Sequence, residues 1–139
     1  MARSAISFTF EVLSKENKLV EISKTFAVRI IELDRSIKAR GGNNAIVNQI
    51  LRSRTSIGAN IHEANYAASK ADFINKLQIA LKECYETDYW LDIFCESGII
   101  TAEEFNEMKE YCGKIRRMLI SSITTAKKNS TERNQTNEA

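Results

Sequence analysis

The stretch GIITAEEFNEMKEYCGKIRRMLISSITTAKK, residues 98–128, decides the fold. Gly98 stops the helix before it. Thr101 and Glu104 then form a capping box, in which each side chain accepts a hydrogen bond from the other residue's backbone N–H. Ile100 and Phe105 add a hydrophobic staple across that start. From there Phe105, Met108, Cys112, Ile115, Leu119, Ser122 and Ala126 recur at alternating steps of three and four, the seam of a helix packed against neighbouring helices. Glu103, Glu104 and Glu107 gather in its first turns and Lys127 and Lys128 in its last, which suits the helix macrodipole. The spacing predicts a helix over 102–128.

The same period runs upstream. Leu19, Ile22, Phe26, Ile30, Leu33 and Ile37 mark a helix from about Ser14 to Arg40, ended by Gly41 and Gly42. Asn43 or Asn44 caps a second helix over 43–66, with Ile46, Ile50, Ile57, Ile61 and Ala64 on one face. Ser69 and Asp72 open a third over 70–97, through Phe73, Leu77, Ala80, Cys84, Leu91 and Phe94. After Lys128 the polar run NSTERNQTNEA, residues 129–139, has no apolar period and reads as a frayed, disordered tail. Four amphipathic helices joined by short turns predict an all-α, antiparallel up-down-up-down four-helix bundle over residues 1–128, in one domain.

Composition agrees. The 139 residues contain no proline and five glycines, so the commonest helix breaker is missing throughout, and a hydrophobic content of 43% suffices for a core. Three widely spaced cysteines, Cys84, Cys95 and Cys112, fit reduced buried thiols better than a disulfide framework or a zinc site. There is no signal-peptide pattern at the start and no apolar run long enough to span a membrane, so a soluble, cytoplasmic protein without membrane association is expected. Net charge is +2, with ten Lys/Arg against six Asp/Glu in residues 1–66 and the reverse bias after them.

RTSIGANIHEA, residues 54–64, is unusually small for a core helix. Gly58 costs about 1 kcal/mol relative to alanine there. Close approach of another helix offsets that cost, and the aromatic-rich third helix (Tyr85, Tyr89, Trp90, Phe94) is the expected neighbour. A ligand cavity over the small residues is the alternative.

LRSRTSIGANIHEA (51–64), followed by SKADFINKLQIALKECYETDYWL (69–91), resembles the signature of the 23S ribosomal RNA intervening-sequence proteins of bacteria. The resemblance runs from about Phe26 to Lys128. Ser56, Ile57, Ala59, Asn60 and Glu63 match it, as do Ser69, Lys70, Asp72, Phe73, Ala80, Leu81, Glu83, Glu86, Trp90 and Leu91. It implies an antiparallel bundle assembled into a homopentameric ring, of unsettled biochemical role. A more distant relative, the accessory protein of diversity-generating retroelements, is a strongly basic pentamer that partners a reverse transcriptase and nucleic acid. Arg54 stands where many relatives have glycine, Gly58 where another branch has proline, and His62 at a position more often charged. The low net charge also departs from the basic relative.

Residue chemistry argues against catalysis. Glu63, Glu83 and Glu86 suggest a di-iron carboxylate site, but the Glu-x-x-His pair that such bundles use does not occur around His62, the single histidine. The bland reading is hydrogen bonding of Glu63 and Glu86 with Asn60 or Lys82. Cys84 and Cys112 fall on apolar seams, where thiols are inert. No enzyme activity, cofactor or metal is expected. Arg35, Lys38, Arg40, Arg52 and Arg54 converge at one end of the bundle, either as a phosphate-binding patch or as an ordinary solvated surface. Ile74, Leu81, Tyr85, Tyr89 and Trp90 give helix three a second apolar stripe, read as a subunit contact. The function expected is a homo-oligomeric scaffold that presents a surface to a protein partner. The alternative is an RNA- or DNA-binding oligomer connected with ribosomal RNA inserts or a mobile element.

Overall fold

The computed structural model describes the backbone of residues 2–42 and 44–138, and the side chains of residues 18–42, 45, 47, 48, 52, 55–131 and 134–136. Four helices account for nearly all of it: α1 (Ala2–Ala39), α2 (Asn44–Ala64), α3 (Lys70–Glu96) and α4 (Ala102–Glu138). No strand occurs among the described residues.

Local chemistry sets the turns. Gly41 and Gly98 adopt φ of 83° and 73°, the left-handed conformation that glycine enters without a Cβ penalty. At each, two bonds close the helix end: Gly42 N–H to Ile37 O and Gly41 N–H to Lys38 O, then Ile99 N–H to Phe94 O and Gly98 N–H to Cys95 O. The capping box of α4 is complete. Glu104 N–H donates to Thr101 Oγ1 at 3.1 Å, and Thr101 N–H donates to Glu104 Oε1 at 2.9 Å. In α3 the Asp72 N–H donates to Ser69 Oγ, but the Asp72 carboxylate accepts from Ala68 N–H instead of the cap residue's own.

Two boundaries differ from the sequence reading. α1 begins at Ala2 instead of near Ser14, and α4 continues through Glu138 instead of fraying after Lys128. Neither segment holds a proline or a glycine to end the helix. In the supposed tail the helix continues without an apolar face, and the Ser130 and Thr131 hydroxyls donate back to Ala126 O and Lys127 O, four residues earlier. Asn43, one candidate cap of α2, lies outside the described residues, as do the side chains of Asn44, Ile46 and Ile50.

Each helix packs on its chain neighbour, and α4 closes back on α1; among the described residues the diagonal pairs α1/α3 and α2/α4 make no close backbone approach. Cross-helix pairs fix the directions. Phe26 meets Tyr111 while Arg29 meets Glu107, and Cys84 meets Cys112 while Asp92 meets Lys109. Residue numbers rise along one helix as they fall along its neighbour, so the bundle is antiparallel. Its core holds Leu19, Phe26, Ile30, Leu33 and Ile37 of α1; Val47, Ile57, Ile61 and Ala64 of α2; Leu77, Ala80, Cys84, Leu91 and Phe94 of α3; and Met108, Cys112, Ile115, Leu119 and Ile123 of α4.

Candidate functional site

The short-residue segment of α2 distributes its side chains over three environments. Ile57, Ile61 and Ala64 enter the core. Gly58, one position on from Ile57, turns toward α1, where an added Cβ would lie 3.7 Å from both the backbone oxygen and the hydroxyl of Ser23. The close approach is therefore to α1 and not to the aromatic residues of α3. Its partner is another small residue, Ser23, buried with its hydroxyl bonded to Val20 O at 2.8 Å. Ala59 points to solvent.

Ser56, Asn60 and Glu63 turn the other way and build a polar seam with α3. The Ser56 hydroxyl bonds to the Glu83 carboxylate. Asn60 Nδ2 donates to Ser56 O at 2.8 Å, and Lys76 Nζ lies 3.0 Å from Glu63 Oε2. Burial pushes the Glu83 carboxyl up, and the adjacent Glu86 carboxylate pushes it further. Glu83 Oε2 is buried with no hydrogen-bond partner among the described residues. Of the three glutamates weighed as metal ligands, Glu63 is held by Lys76. Among the described residues no group of three or more acidic, histidine or cysteine side chains is placed to hold a metal ion.

Cys84 and Cys112 face each other across α3 and α4, both fully buried, with the Cys112 thiol 3.3 Å from Cys84 O. The contact with Cys112, reinforced by burial, drives the Cys84 thiol far above its usual range. His62 lies on the surface, its ring 5.4 Å from that of Tyr66. Among the described residues the buried thiols and the exposed His62 are kept apart.

Internal bonds divide the basic group. Arg40 Nη1 reaches Glu104 Oε1 at 3.0 Å and its Nη2 reaches Ile99 O, which ties the end of α1 to the start of α4. Lys38 pairs with Asp34 at 3.0 Å and donates to Asn48 Oδ1. Arg35 and Arg52 are exposed and form no ion pair among the described residues. The Arg54 side chain lies outside the described residues.

The second stripe of α3 also divides. Ile74, Leu81 and Trp90 are half-buried against the core, whereas Tyr85 and Tyr89 are 53% and 59% exposed. The Arg116 guanidinium sits over the Tyr85 ring, and Tyr89 meets Trp90 edge-on at 5.4 Å. Two features escaped the sequence reading. Val28 and Ile31 are exposed on α1, where the helix's strong inward face drew attention from its outer one. A cavity of about 180 Å³ opens between α1 and α4, floored by Leu33 and Met108 and walled by Arg29, Glu104 and Glu107.

Residues 15–121, most of the bundle, match the family described as 23S rRNA-intervening sequence protein. The chain belongs to that family. Among solved structures, this 23S rRNA-intervening sequence protein resembles a Bacteroides thetaiotaomicron protein of unknown function from the S23 ribosomal protein family. The two are 45% identical with a TM-score of 0.75, over 79% of this chain and 98% of the other. No curated protein matches the chain. The family match leaves out the first turns of α1 and the last turns of α4. Neither the family nor the related structure names an enzymatic activity. No helix among the described residues is long and apolar enough to cross a membrane.

Proposed function

We propose that this 23S rRNA-intervening sequence protein works without catalysis, as a cytoplasmic homo-oligomer that presents a repeated surface to a protein partner. The resemblance of its signature segments implies a ring of five. The observation that carries the reading is the exposure of Tyr85 and Tyr89 on a helix whose opposite face already fills the core. Tyrosine buries large areas while keeping a polar handle, which suits a subunit contact. The sealed positions of Cys84 and Cys112 support a non-enzymatic role, because a buried, raised thiol is a poor nucleophile.

Light scattering at micromolar concentration tests this. A multimeric mass that collapses in a Tyr85→Glu, Tyr89→Glu variant supports the reading; a stable monomer of the unmodified chain refutes it. The nucleic-acid reading rests on Arg35 and Arg52, which are exposed and form no ion pair among the described residues. Retention on nucleic acid that falls steeply with salt, and is lost on Arg35→Glu, Arg52→Glu, would favour it, since phosphate contacts release counterions.

A further inference from the structure

We infer that the subunits join head to tail, the outer face of α3 on one copy seated on the outer face of α1 on the next. This rests on the homo-oligomer proposed above and names its two contacting faces. α1 and α3 are diagonal partners with no close backbone approach among the described residues, so their outer faces lie on opposite sides of one subunit. Each carries a stripe with an apolar centre and charged ends. On α1 the stripe is Lys24, Val28, Ile31, Arg35, at steps of four, three and four; on α3 it is Glu86, Tyr89, Ile93, Glu96, at steps of three, four and three. Such steps keep residues on one side of a helix. The stripes span about 16 and 15 Å at the helical rise, so they match in length.

The centres are exposed where a monomer gains nothing from exposing them: Val28 is 54%, Ile31 39% and Tyr89 59% exposed, with Ile93 half-buried beside them. Lys24 and Arg35 are exposed and form no ion pair among the described residues, and Glu86 and Glu96 are exposed at the ends of the other stripe. A self-pairing of α3 on α3 sets glutamate against glutamate, and α1 on α1 sets cation against cation. Only the α1–α3 combination places apolar on apolar and cation on carboxylate at both ends. Because both stripes read the same in either direction, the charges do not choose between parallel and antiparallel docking. A contact between two different faces repeats from copy to copy and closes into a ring when the rotation permits.

Charge reversal decides the matter, read by light scattering and by circular dichroism to verify folding. Lys24→Glu with Arg35→Glu, and separately Glu86→Lys with Glu96→Lys, should each leave a folded chain whose dissociation midpoint rises about tenfold or more. Combining all four substitutions in one chain restores complementarity between its own two faces and should restore the wild-type mass. Wild-type assembly that tolerates Lys24→Glu with Arg35→Glu, or a fourfold variant that stays dissociated, overturns the α1–α3 contact while leaving oligomerisation intact. A monomeric wild-type chain, seen before any variant is made, instead removes the oligomer itself.

Discussion

Glu104 Oε1 accepts from Arg40 Nη1 at 3.0 Å and from the Thr101 backbone N–H at 2.9 Å, so one carboxylate oxygen both caps α4 and holds the end of α1 against it. Burial alone would raise this carboxyl, but the Thr101 N–H and the Arg40 guanidinium outweigh it and hold it below its usual range. A lowered folded value contributes stability that is present above the unfolded carboxylate pKa and is lost as pH falls through the folded one. Glu104→Ala should cost about 1 kcal/mol at neutral pH, the usual scale for losing a cap. Melting curves should show the gap between variant and wild type closing below pH 4, the ordinary carboxylate range being about 4.3. An equal gap at both extremes would mean that the cost is packing.

Gly58→Ala tests the contact with α1. The added methyl finds Ser23 at 3.7 Å, ordinary van der Waals distance, so the helix-propensity gain of about 1 kcal/mol should appear as a raised Tm. Gly58→Leu has no such room and should lose about 1–3 kcal/mol by overpacking. A destabilising alanine would mean that the two helices already sit at their limit.

At Glu83 the sign is opposite. Its folded pKa is raised, so the ionised carboxylate weakens the fold at neutral pH and the penalty is relieved as pH falls through the folded value. Glu83→Gln keeps an acceptor for Ser56 and supplies N–H donors toward Glu86. It should stabilise by up to about 1 kcal/mol at pH 7 and by nothing once carboxyls are protonated. Loss of stability at pH 7 would show that the charge itself is needed.

Thiol reactivity should follow burial. Cys95, half-buried, should react first with an aromatic disulfide reagent, and Cys84 and Cys112 only as the bundle unfolds. Three equally fast thiols would indicate that the α3–α4 seam opens readily.

What the sequence disclosed was governed by local chemistry. The glycines at 41 and 98 and the Thr101–Glu104 box are each decided within a few residues, and they stand where the pattern puts them. The core faces of α1 and α3 were legible for the same reason. Ser122 was not: a strict alternation of three and four selects it, but a straight helix turns more slowly per residue than that repeat, so Ile123 takes the core position while Ser122 stays half-buried. Val47 likewise went unnoticed in α2, whose side chains are only partly described. Which neighbour Gly58 faces depends on the sense in which successive helices go around the bundle, and one helix's periodicity holds no record of that. The exposed Val28 and Ile31 are a pattern only once α1 is known to have a free outer side.

The closed circuit of contacts, α1 to α2 to α3 to α4 and back to α1, makes chain order a matter of convenience. Since α1 and α4 are antiparallel neighbours, the start of one and the end of the other emerge at the same end of the bundle. Phe26 opposite Tyr111 puts Ala2 at about the level of Gln135. A short linker could join them, and the backbone could be reopened in the exposed turn at Tyr66 and Ala68. That circular permutant keeps every helix pair adjacent and should fold to the same bundle; failure to fold would reveal that α2 and α3 depend on their covalent turn as well as on the seam between them.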